Sequence, residues 1–134
     1  MTDKELMSLA VQAREKSYSP YSHFKVGAAL LGKSGKVYLG CNVENAAYTP
    51  TNCAERTAVF KAVSDGEQEL GAIASGGGKG DEIAPLCAPC GVCRQVLAEF
   101  CDRDFRLVLG TPENIQTFTF AEILPYSFGK SDLH

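Results

Sequence analysis

Leu70-Gly71-Ala72-Ile73-Ala74-Ser75, then Ala88-Pro89-Cys90-Gly91-Val92-Cys93-Arg94-Gln95-Val96-Leu97-Ala98-Glu99-Phe100, then Phe105-Arg106-Leu107-Val108-Leu109-Gly110 follow one another in the second half of the chain. The outer two are apolar runs of strand length. The middle one sits behind a proline and continues in a helical pattern. Strand, loop, helix and strand predict a βαβ unit, with parallel strands and a right-handed crossover.

Working outward, residues 24–31 and 36–43 read as an antiparallel hairpin turned by Gly32-Lys33-Ser34-Gly35, with alternation at Val37, Leu39, Cys41 and Val43. Thr2-Asp3-Lys4-Glu5 has capping-box form and opens a helix over 3–17 that covers the sheet. A second helix is expected over 53–63 and the third over 90–101. Gly76-Gly77-Gly78-Lys79-Gly80 lacks P-loop spacing and is expected to be a flexible loop. Residues 111–116 read as a turn and 117–119 as a fifth strand, and Thr119-Phe120-Ala121-Glu122 caps a last helical turn.

Five strands with helices for both faces predict a three-layer α/β/α sandwich on a mixed sheet, in one domain spanning 1–134. The connection from strand four to strand five holds about six residues, and a parallel crossover needs a dozen or more. Strand five should therefore run antiparallel to strand four.

A net charge of −3, with no basic run longer than two residues, argues against a nucleic-acid partner. No apolar run reaches membrane-spanning length and no signal-peptide pattern is present, so a cytoplasmic protein is expected. Six cysteines then read as metal ligands, catalytic groups or core residues. In an exported chain the same even count would read as three disulfides.

Cys90 and Cys93 lie three apart at a helix start, where the helix dipole favours thiolate. Alone, the pair suits a metal or a thiol redox couple. Cys53, at the start of another helix, makes a third sulfur, and helix starts gather at one edge of an α/β sheet. Three thiolates suit zinc and leave a fourth position for water, whose proton Glu55 could accept. Arg56, three residues after Cys53, could donate to a thiolate and offset the charge. On a regular helix, however, Glu55 lies about 200° round from Cys53. The two can serve one metal only if Cys53 is the cap.

Cys87 extends the run to C-x-x-C-x-x-C, but position 97 is Leu97 where a ferredoxin pattern needs cysteine. Cys41 is expected in the core, Cys101 has no assigned role, and His23 and His134 are too scattered to be ligands. Two other readings stay open: a redox module on Cys90–Cys93, and a structural zinc module closed by Cys41 or Cys87.

Cys53-Ala54-Glu55 with Pro89-Cys90-Gly91-Val92-Cys93 resembles the signature already described for the zinc cytidine deaminases. Residues 24–29, 40–48, 53–58 and 124–128 are all similar to the short homotetrameric members of that family. The resemblance implies Zn²⁺ held by Cys53, Cys90 and Cys93, with Glu55 carrying protons from water to N3 of the pyrimidine and to the departing amine. It implies that Asn42 and Glu44 grip a ribose hydroxyl, that Phe24 lines the base pocket and that the Ala54 backbone contacts the base. Phe128 would close the pocket of a neighbouring subunit in a homotetramer, and Arg56 would serve the thiolates.

Family members acting on tRNA or single-stranded DNA generally carry a helix between strands four and five. The short connection here therefore points to free cytidine and deoxycytidine. A nucleoside-antibiotic deaminase of the blasticidin type is the nearest alternative, and the Asn42–Glu44 pair favours an unmodified ribose.

Overall fold

The computed structural model describes residues 1–133, so His134 lies outside the described residues. Helix α1 spans Asp3–Ala13, and its predicted capping box is formed: Glu5 N donates to Thr2 Oγ1 at 3.1 Å and Thr2 N to Glu5 Oε1 at 2.8 Å. The α-helix is shorter than expected. A 3-10 turn over Arg14–Lys16 ends it, so that Tyr18 can bridge Val43 beyond the second strand.

Strands β1 (Phe24–Gly32), β2 (Val37–Cys41), β3 (Leu70–Lys79), β4 (Arg106–Thr111) and β5 (Asn114–Thr119) form one sheet among the described residues, in the order β2-β1-β3-β4-β5. β3 and β4 are parallel, as the βαβ reading requires, and β5 is antiparallel to β4 across the turn at 112–113. β5 begins three residues earlier than expected, because Asn114 already pairs with Thr111.

Helix α1 covers one face, packing Leu6, Met7 and Ala10 on Ala29, Ala72, Ala74 and Val108. Helices α2 (Ala54–Ser64) and α3 (Gly91–Phe100) belong to the other face, where Ala58, Val59 and Leu97 join Leu30, Ile73 and Leu107. This is the expected three-layer α/β/α sandwich. Each fully buried Leu, Ile or Val contributes about 1.5–3 kcal/mol. The ion pairs Lys33–Asp102, Lys36–Asp65 and Arg106–Asp3 are all substantially exposed, so solvent screens them and they add little to stability. The two apolar layers hold the fold.

Two expectations are corrected here. Gly76-Gly77-Gly78-Lys79 is strand, not flexible loop: it completes β3 and pairs with Gly27, Val26, Lys25 and Phe24. Its glycines serve close packing. A Cβ at Gly77 would meet Val26 Cγ2 at 2.8 Å and the Cys87 sulfur at 3.1 Å, and one at Gly78 would strike the Glu82 backbone. Cys41 is half-buried on edge strand β2 rather than in the core, with its thiol donating to Lys16 O at 3.3 Å. The alternation of β2 faces it toward α1, which ends too early to cover it.

Candidate metal centre

Cys53 is the N-cap of α2 and Cys90 the N-cap of α3, both with extended backbone and neither using its side chain as a cap. Their sulfurs are therefore free to turn to a common point. Cys93 sits in the first turn of α3. The Cys53 and Cys90 sulfurs lie 3.7 Å apart, those of Cys90 and Cys93 3.6 Å, and all three fall within 4.8 Å of one another. Sulfurs at about 2.3 Å from a tetrahedral zinc stand about 3.8 Å apart, so this donor set fits Zn²⁺. Among the described residues no other His, Cys, Asp or Glu joins the cluster. That removes Cys41 and Cys87 as structural fourth ligands.

The cap position of Cys53 also answers the helical-wheel difficulty. The residue lies outside the helix, so the 100° step does not separate it from Glu55. Glu55 is almost wholly buried, and Oε2 accepts a hydrogen bond from Ser75 Oγ at 2.9 Å. Burial pushes its carboxyl above the ordinary range. Arg56 donates from Nη2 to the Cys53 sulfur at 3.3 Å. Hydrogen bonds from Cys93, Arg56 and Cys90 hold the Cys53 thiol down to about 5, while the proton shared with Cys53 pushes Cys93 up.

The loop leading to Cys53 is closed by reciprocal backbone bonds of 2.9 Å between Val43 and Asn52. Asn52 Nδ2 reaches Thr57 Oγ1 at 3.0 Å, tying the loop to the first turn of α2. On the same stretch Asn42 is buried. Its Oδ1 accepts from Val26 N at 2.9 Å and from Ser17 Oγ at 2.5 Å, and its Nδ2 donates to Phe24 O at 2.8 Å. Glu44 is half-buried and its Oε1 accepts from the backbones of Tyr21 and Ser22, at 3.0 and 3.1 Å. The Ser22 hydroxyl also donates to its carboxyl and holds it below the usual carboxylate range. A cavity of about 410 Å³ adjoins it, lined by Tyr21, Ser22, Glu44, Asn45, Tyr48 and Thr51.

Ala54 is buried in the first helical position, and Phe24 is 37% exposed at the start of β1. Phe128 is exposed, and its carbonyl accepts from Gln95 Nε2 at 2.8 Å. The structure thus brings Cys53, Cys90 and Cys93 together, ties Arg56 to them, and ties Asn42 to Phe24.

Sequence reasoning passed over two residues. Ser75, buried among apolar neighbours of β3, touches Glu55; a lone hydroxyl in an apolar strand was the available signal. Buried Arg14 donates from Nε to Lys25 O at 2.9 Å, and from Nη2 to Gly78 O at 3.0 Å, Gly80 O at 3.1 Å and Glu82 O at 2.8 Å. It fastens the start of the segment that leads to Cys90, and nothing local in the sequence marks it.

Residues 1–109 match the model of the cytidine and deoxycytidylate deaminase zinc-binding region. The chain is 48% identical to a cytidine deaminase of Sporosarcina psychrophila over 99% of its own length and 96% of that protein's. It is 49% identical to one from Halalkalibacterium halodurans, over 100% and 99%. Its fold superposes on the crystal structure of a cytidine deaminase from Burkholderia pseudomallei with a TM-score of 0.87, at 45% identity, covering 96% of this chain and 100% of that one. A shared fold, a near-full-length sequence match and a sulfur cluster of zinc geometry agree, and the chain belongs to the cytidine and deoxycytidylate deaminase family of zinc-binding proteins.

Proposed function

We propose that residues 1–134 form one domain that hydrolyses free cytidine and deoxycytidine to uridine and deoxyuridine with release of ammonia. The observation that carries this reading is a buried carboxyl, Glu55, two residues beyond one of three sulfurs spaced for zinc. Cys53, Cys90 and Cys93 would hold Zn²⁺, which when bound acts as a Lewis acid and lowers the pKa of water.

Glu55 accepts a proton from the attacking water and delivers it to N3 of the pyrimidine; a second passage carries a proton to the departing amine. Water adds at C4, the C4–N bond breaks, and the atoms balance as nucleoside plus water giving the uracil nucleoside plus ammonia. Burial of Glu55 supports the reading, because a carboxyl that must return its proton works best with a raised pKa. The orphan amide of Ala54, in the first turn of α2, is suited to a carbonyl of the base.

Phe24 lines the base pocket, and Asn42 and Glu44 take a ribose hydroxyl. Asn42 retains one amide N–H beyond the bond to Phe24, and Glu44 remains ionised. If the hydroxyl gripped is the 3′ one, the deoxynucleoside is accepted equally. Exposed Phe128 closes the pocket of a neighbouring subunit in a homotetramer, and the enzyme serves pyrimidine salvage in the cytoplasm.

The test pairs a zinc assay with ultraviolet monitoring of cytidine loss. Wild type and Glu55→Gln should both hold one zinc per chain, with turnover of the variant down by about 10²–10⁴-fold. Cytidine untouched by the zinc-loaded wild type would overturn the reading.

A further inference from the structure

Gly40 of β2 pairs with Ala28 of β1, and Ala28 pairs with Ser75 of β3. The three make a row of small residues across the sheet, on the face that carries α2. A Cβ at Gly40 would come within 2.5 Å of Ala54 O and 2.6 Å of Ala58 N, so the first turns of the helix lie as close to the sheet as backbone permits. At the far end of the row the Ser75 hydroxyl, 1% exposed, donates to Glu55 Oε2 at 2.9 Å.

A buried hydroxyl without a partner is costly, and a buried carboxyl at a helix start has several rotamers open to it. Each group fixes the other. We infer that Ser75 is a positioning residue for the deamination, holding the Glu55 carboxyl in the one orientation from which it reaches both the attacking water and the base. The hydroxyl binds one carboxyl oxygen and, on this reading, acts on the substrate only through Glu55. Its contribution should therefore be to the chemical step rather than to nucleoside binding. This rests on the deaminase reading above.

The experiment compares wild type, Ser75→Ala and Ser75→Thr as zinc-loaded enzymes, and adds a crystal structure of Ser75→Ala. The alanine variant should keep its zinc and lose roughly 10- to 100-fold in kcat with KM within about twofold, as expected for an acid–base group held loosely. Threonine keeps the donor and should recover most of the loss. The crystal structure should show the Glu55 carboxyl turned from its wild-type orientation. In the background of Glu55→Gln the alanine change should add nothing further.

An alanine variant with wild-type kcat, or a Glu55 carboxyl unmoved in its crystal structure, overturns the inference. A loss shared equally by the threonine variant overturns it too, since the donor would then not be what matters. A wild type inactive on cytidine, beside a carboxyl that turns in the alanine variant, would refute the substrate reading and leave the positional coupling standing.

Discussion

The guanidinium of Arg56 donates to the sulfur of Cys53 at 3.3 Å, from three residues further along the chain. A cation placed on a thiolate trio draws off charge that would otherwise oppose ionisation of water. Arg56→Ala should therefore retain zinc while turnover falls by about 10- to 100-fold, the worth of one hydrogen bond to a charged group. Turnover with metal content measured in parallel checks it, and wild-type rates in the zinc-replete variant would remove the role.

The thiols should also differ in reactivity once zinc is chelated. Cys53 is held down to about 5, so above that pH it is a thiolate; burial pushes Cys87 up to about 11, so it stays a protonated thiol until strongly alkaline conditions. Burial pushes Cys101 up as well. At pH 7, iodoacetamide followed by mass spectrometry should label Cys53 first and leave Cys87 and Cys101 unmodified. Zinc added back should protect Cys53. Equal labelling of Cys53 and Cys87 would contradict the assignment.

Gly40 admits the start of α2. Gly40→Ala puts a methyl against the backbone at Ala54 and Ala58, where no flexible side chain can yield. The expected cost is about 1–3 kcal/mol, read from the denaturant midpoint at unchanged slope. Stability equal to wild type would mean that the helix has room to rise.

On the proposed reading Glu44 serves nucleoside binding rather than chemistry. Glu44→Gln should raise KM several-fold with kcat little changed, the pattern of an interaction equal in ground and transition states. Steady-state kinetics on cytidine decide it, and a fall confined to kcat would assign Glu44 elsewhere.

Much of this was legible in the sequence, and what was not has a physical cause. The βαβ order, the short fourth connection and the capping box of Thr2 are local signals, and each held. Cys53, Cys90 and Cys93 could be grouped because helix starts converge at a sheet edge, whereas the helical wheel set Glu55 apart from Cys53 until the cap position was known. Gly76–Gly78 misled because glycine most often signals flexibility, whereas here the missing Cβ admits Cys87 and the Glu82 backbone. Ser75 and Arg14 escaped notice because their partners are remote: twenty residues away for Ser75 and Glu55, and up to 68 for Arg14 and Glu82.

Arg14 carries one further consequence. Its guanidinium rests on the carbonyls of Lys25, Gly78, Gly80 and Glu82, which neither carry charge nor exchange protons with solvent. Salt screens interactions between charges far more than it weakens a buried fork of N–H groups on carbonyls. The bracket behind the metal-binding segment is thus insensitive to both acidity and ionic strength. Changes in buffer act on the thiols and on Glu55, while the frame that holds them stays put.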